Sequence, residues 1–132
     1  MYLLIDMSEF DQVHLALFDE QGRTDKIFES RNRELLFCID EFIKSKVHKV
    51  KSLTDLKGIM VVVGSGSFTS ERIGCVVANT FGYVRRIPLL AISVDDVDRV
   101  QELIPKLLKQ PKGQFISATY SGEPNIGRKK LN

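Results

Sequence analysis

The chain has 132 residues, one domain's worth, which leaves no room for two of ordinary size. Hydrophobic residues make up 43% and charged residues 27%, a mixture that excludes a disordered or fibrous polypeptide, and a net charge of +2 is too small to argue for nucleic acid. A chain of this size should bury roughly two-thirds of the surface it exposes when unfolded, enough for a core.

Cys38 and Cys75 are the only cysteines, without a CxxC pair or a Cys/His cluster at zinc-ligand spacing. They read as reduced thiols of a cytoplasmic protein. Asp6 brings a charge too early for a signal peptide, and no apolar run approaches the ~20 residues that cross a bilayer. No membrane partner is expected.

In chain order, Tyr2 to Ile5 is a short apolar run suited to a buried strand. Val13, Leu15 and Leu17 alternate with His14, Ala16 and Phe18, the period of a second strand. Glu20-Gln21-Gly22 predicts a turn, and Thr24 to Ser30 a third strand, together an antiparallel meander. The period then changes. Over 33–47, Leu35, Leu36, Ile39, Phe42, Ile43 and Val47 fall on one helical stripe, with Phe37 roughly opposite. After a polar link, Ile59-Met60-Val61-Val62-Val63 is an unbroken run that predicts a central strand covered on both faces. A helix over 69–85 closes at Ile87-Pro88, and Leu89 to Ile92 is another short strand. Ser93 is placed to cap a helix reaching about Lys109, which Pro105 should kink or split. Residues 114–120 could add a strand, and 121–132 read as a loose tail. The order β-β-β-α-β-α-β-α predicts one α/β domain over 1–110, with a mixed five-stranded sheet and helices on its faces.

The helix at 69–85 is apolar nearly all round. Gly74, Ala78 and Gly82 form a ridge of small residues on which another helix axis could approach closely. Ile73, Val77, Phe81 and Val84 read as the core stripe, with Cys75, Val76 and Tyr83 off it. Such a helix should be covered on more than one side.

The segment from Gly64 to Gly74, Gly-Ser-Gly-Ser-Phe-Thr-Ser-Glu-Arg-Ile-Gly, joins the central strand to that helix. A glycine loop feeding a helix N-terminus serves either as a sharp turn or as a phosphate cradle. The lysine of a Walker loop is absent. Asp6 reads as a turn residue or, in an intact enzyme, a magnesium ligand. His14 and His48 belong to no metal motif, and each reads as structural or solvent-exposed. Cys75 lacks a base in evidence.

These residues carry a resemblance. Asp6-Met7-Ser8, the loop at Gly64, Ser65, Gly66, Ser67, Phe68, Thr69 and Arg72, and Ile87-Pro88-Leu89-Leu90-Ala91-Ile92-Ser93 resemble the signatures of the TsaB (YeaZ) family. Arg33-Glu34-Leu35-Leu36 stands where that family opens its first helix. The chain departs from the pattern at Ser65, Ser70 and Glu71, and lacks the histidine often found at the start of the first helix. Tyr120 to Lys130 is similar to the family's C-terminal end, so a shortened form missing the second actin-like subdomain is expected.

The resemblance implies a single actin-like, ribonuclease H-like subdomain. It implies a non-catalytic subunit that pairs with a TsaD-type protein, and through that complex with a TsaE-type ATPase, in forming threonylcarbamoyl-adenosine at position 37 of tRNA. Docking is expected through Arg33, Phe37 and Glu41 of the first helix and Gly74, Cys75, Ala78, Asn79 and Gly82 of the second. On that expectation Ala78→Arg would abolish docking and leave the fold intact. No cofactor is expected, because one subdomain leaves an actin-type nucleotide cleft open. The same face could pair two copies, and tRNA contact would be indirect, with only Arg128-Lys129-Lys130 locally basic. The alternative is a nucleotide-binding or hydrolytic protein using Asp6, Ser8 and the loop from Gly64 to Ser70.

Overall fold

A computed structural model describes residues 1–9, 11–29, 34–45, 55–64 and 68–117. Arg33, His48, Ser65, Gly66, Ser67 and the stretch from Tyr120 to Lys130 lie outside the described residues.

The apolar run at the start forms β1 (Tyr2–Asp6). The alternating segment forms β2 (Gln12–Phe18), which returns antiparallel with Asp6 opposite His14. A turn follows in which the Asp19 carboxyl accepts from the amides of Gln21 and Gly22. β3 (Arg23–Glu29) completes the meander. β4 (Ile59–Val62) lies parallel to β1, and β5 (Leu89–Ile92) parallel to β4. The sheet order is β3-β2-β1-β4-β5, the mixed five-stranded sheet that the pattern predicts.

Each face of the sheet is covered. On one, Leu3, Ile5, Leu15, Leu17, Ile59 and Val61 pack beneath α1 (Leu35–Ser45) and α2 (Phe68–Arg85). On the other, Tyr2, Leu4, Phe18, Met60 and Val62 meet Val97, Val100, Ile104 and Leu107. β1 and β4 are therefore buried on both sides, which is why their sequences do not alternate. Each fully buried Leu, Ile or Phe stabilises the fold by roughly 1.5–3 kcal/mol.

The last helical segment is not one α-helix. Ser93 caps it as expected, its hydroxyl accepting from the Asp95 amide at 3.0 Å. It then runs as a 3₁₀ stretch (Val94–Leu103), broken at Arg99, into the short α3 (Ile104–Leu108). Pro105 sits in the first turn of α3, where its missing N–H costs nothing, so the proline splits the segment. α2 ends on Arg86 in the left-handed region (φ 55°), and the Ile87 amide bonds back to the Gly82 carbonyl, a Schellman closure.

Residues 114–117 form no strand. In this described part of the strand expected over 114–120, the chain runs as an irregular strap held by Asn79 of α2, and 118–120 lie outside the described residues. No helix among the described residues is long and apolar enough to cross a membrane.

Candidate functional site

The outward face of α1 and α2 carries more apolar surface than solvent alone requires. On α1, Leu35, Cys38, Ile39, Phe42 and Ile43 turn inward, as their spacing dictates. Phe37 is 54% exposed, as its position opposite the stripe predicts, and Leu36, expected in the stripe, is equally exposed. Glu41 is exposed on the same helix.

On α2 the expected faces are exchanged in part. Gly74, Ala78 and Gly82 face the chain's own sheet, not another helix axis. A Cβ on Gly74 would stand 3.5 Å from Ile5 and 3.6 Å from Val61, and one on Gly82 would meet Leu89 at 2.9 Å. Ala78 is wholly buried, and Cys75 is buried beside it. None of these four can present a side chain to a partner. Ala78→Arg would disrupt the core, so it cannot test docking. The reason is a matter of distance: small side chains let α2 lie close on β1, β4 and β5, so the ridge is the inward side.

The larger residues turn outward. Ile73 and Val84, expected in the core, are exposed, as are Val76 (63%) and Tyr83, while Val77 and Phe81 remain half-buried against the core. Thr69, Arg72, Ile73, Val76 and Val77 line a shallow depression of about 330 Å3. α1 packs beside α2 without covering these positions.

Asn79 is engaged within the chain. Its side-chain amide donates to the Ile116 carbonyl at 2.9 Å and accepts from the Ile116 amide at 2.8 Å. The Tyr83 ring meets Phe115 edge-on, with centroids 6.4 Å apart. Asn79 is therefore a clamp for the strap, which sequence spacing does not reveal.

At the glycine junction, Gly64 takes φ 80°, the left-handed turn its type predicts. Glu71, 2% exposed, accepts the Gly64 amide proton at 2.8 Å through Oε1. Arg72 and Thr69 are exposed on the first turns of α2. Glu71 also bears on Cys75: burial first, then the neighbouring Glu71, pushes that thiol up to about 11, far from a reactive thiolate.

Asp6 is more than a turn residue. Its Oδ1 accepts from the Ser8 amide at 3.0 Å, and its Oδ2 lies 3.2 Å from His14 Nδ1. The other ring nitrogen of His14 lies 2.6 Å from Asp25 Oδ2. Arg23 grips Asp25 through Nε and Nη2, and its Nη1 donates to the Val97 carbonyl at 2.6 Å. A neutral imidazole has one N–H and cannot donate to two carboxylates, so only the doubly protonated ring makes both contacts as a donor. The bond to Asp6 raises the pKa of His14, burial opposes, and the bond to Asp25 adds to the rise. Burial would raise both carboxyl groups, but their hydrogen bonds outweigh it and hold them below the usual carboxylate range. The sequence held a signal for this cluster. Alternation puts His14 on the face of β2 opposite Leu15, where the hairpin register brings Asp6 alongside and Asp25 diagonal to it.

No family model matches the chain, and no curated protein sequence matches it. Solved structures do. One is a Pseudomonas aeruginosa protein described as uncharacterized with similarity to peptidase YeaZ: 22% identity, TM-score 0.60, covering 70% of this chain and 42% of that one. Another is YeaZ from Pseudomonas aeruginosa, at the same identity, TM-score and coverage of this chain, and 44% of that one. The likeness is one of fold. The chain spans less than half the length of either of these proteins.

Proposed function

We propose that this chain is a non-catalytic docking subunit of the TsaB (YeaZ) type, working in the cytoplasm. It supports a TsaD-type catalytic partner, and through that partner a TsaE-type ATPase, in forming threonylcarbamoyl-adenosine at position 37 of tRNA. The observation that carries the reading is the outward apolar surface of α1 and α2, with Leu36, Phe37, Ile73 and Val76 all exposed. Exposed aromatic and aliphatic groups on adjacent helices are the usual anchors of an interface. The resemblance of the motif at 64–74 and the YeaZ-like fold support this choice of partner. In the absence of that partner, the same face would pair two copies.

The nucleotide-binding alternative has less support. Both Asp6 oxygens are taken up by Ser8 and His14, and the Gly64 amide by Glu71.

The test is co-purification of a TsaD-type subunit with Phe37→Arg and Val76→Arg, both at exposed positions. Each should weaken association at least tenfold and lower tRNA modification in a reconstituted system. Glu102→Arg, on the opposite layer, should change neither. Wild-type association by both helix variants, with circular dichroism unchanged, would overturn the reading.

A further inference from the structure

A run of polar side chains crosses the sheet on the face away from α1 and α2 and ends on the 3₁₀ stretch. Asp6 of β1 and Asp25 of β3 flank His14 of β2, Arg23 grips Asp25, and Arg23 Nη1 donates to the Val97 carbonyl at 2.6 Å. Asp98 of the same stretch adds its charge to the hold on Arg23. A second attachment is independent of this run: Gln101 Nε2 donates to the Asp19 carbonyl at 2.8 Å. Arg99, whose φ of −128° and ψ of 30° interrupt the helical turns, stands between the two attachments. One can therefore let go while the other holds.

His14 decides whether the first attachment holds. The doubly protonated ring donates to both carboxylates, whereas the neutral ring keeps one N–H and turns a lone pair toward the other carboxylate. Exposure decides which bond is lost. The Asp6 side chain is 9% exposed and has little water to turn to, while that of Asp25 is 37% exposed. The proton therefore stays on Nδ1, toward Asp6, and Asp25 is left facing a lone pair on Nε2. Asp25 then swings into solvent and draws Arg23 off Val97, because Arg23 is bound to it through two nitrogens.

We infer that His14 is a proton-operated latch on the 3₁₀ stretch: the charged ring keeps Asp25 and Arg23 fastened to Val97, and loss of its proton frees the part of the stretch before Arg99. The bond to Asp6 raises the pKa of His14 against its burial, and the bond to Asp25 adds to the rise. The latch is thus closed below about pH 6.5, the ordinary imidazole value, and opens as pH climbs through the folded value.

The test is a pH titration of the full ¹³C,¹⁵N-labelled chain by NMR. The Val97 carbonyl carbon reads the Arg23 bond directly, and the ring carbons of His14 read its proton. Both should inflect at one pH above 6.5, while the Asp19 carbonyl, held by Gln101, stays flat. Amide exchange at Val97 and Asp98, corrected for intrinsic rates, should rise at least tenfold across the inflection. Arg23→Gln should leave the ring titrating and the Val97 carbonyl still. The inference is overturned by a Val97 carbonyl that stays flat while the wild-type ring titrates, or by a ring that titrates at or below pH 6.5. It is overturned equally by an inflection at Val97 that survives His14→Asn, or by an equal shift at Asp19, which would mean general loosening of the layer.

Discussion

Glu71 reaches back across the glycine junction to Gly64, and its carboxyl oxygen holds the amide at 2.8 Å where β4 turns toward α2. A side chain within the helix thus fixes the loop that precedes it, in the manner of a capping box drawn out over seven residues. Glu71→Gln keeps an acceptor oxygen and should cost under about 1 kcal/mol. Glu71→Ala strands the amide and empties a buried site, at about 2 kcal/mol. Denaturant midpoints measure the difference, and faster hydrogen exchange at Gly64 in the alanine variant alone would locate it.

The His14 cluster makes stability depend on pH in a defined direction. His14 has its pKa raised by folding, so its contribution is complete below about 6.5, the ordinary imidazole value, and fades as pH rises through the folded value. Asp6 and Asp25 are depressed, so theirs is complete above about 4 and fades as pH falls through their folded values. The cluster should be strongest between about pH 4 and 6.5. His14→Asn should flatten the decline in Tm above about pH 6.5 and, by leaving the buried Asp6 short of a donor, lower stability by about 2 kcal/mol near pH 6. A wild-type Tm that stays flat from pH 6 to 9 would count against the charged ring.

Much of the fold was legible because burial leaves a period in the sequence. The meander, the central Ile59–Val62 strand and the order of helices follow from alternation, unbroken apolar runs and stops. Which side of α2 faces inward was not legible. A helix apolar on all sides has no hydrophobic direction, so side-chain size decides, and size favours the small ridge toward a close-packed sheet. Leu36 is a related case, since α1 already fills its inner face with Leu35, Cys38, Ile39, Phe42 and Ile43. Alternation gives the face of β2 that His14 occupies, but its pairing with Asp6 and Asp25 depends on strand register, and the Glu71 contact on loop geometry, neither of which spacing within one element encodes. Phe37 was legible because it stood alone against a clear stripe.

The inward ridge makes two glycines of the same helix behave oppositely. At Gly74 an added methyl meets neighbours at ordinary contact distances of 3.5 Å and more, so Gly74→Ala should gain up to about 1 kcal/mol from helix propensity. At Gly82 the methyl would lie 2.9–3.1 Å from three atoms of Leu89, including its branching carbon, which cannot swing away without moving the side chain's root. Overpacking of about 1–3 kcal/mol then outweighs the propensity gain. Urea titrations of the two variants should move the midpoint in opposite directions. Equal stabilisation would place Gly82 away from β5.

Asn79 offers a sharper contrast, because one side chain supplies a donor and an acceptor to the same peptide unit. Asn79→Ala removes both, leaving the Ile116 amide to water at about 1 kcal/mol and speeding its hydrogen exchange at least tenfold. Asn79→Asp keeps the acceptor for the Ile116 amide but sets a second oxygen against the Ile116 carbonyl. Above about pH 4, where an aspartate ionises, it should therefore hold the strap no better than alanine, and below that pH protonation restores a donor. Exchange at Ile116 in the aspartate variant should slow as pH falls below 4, after correction for intrinsic rates, while the alanine variant shows no such recovery. Parallel behaviour of the two variants would mean that the strap is held by Phe115 against Tyr83, with the Asn79 amide contributing little.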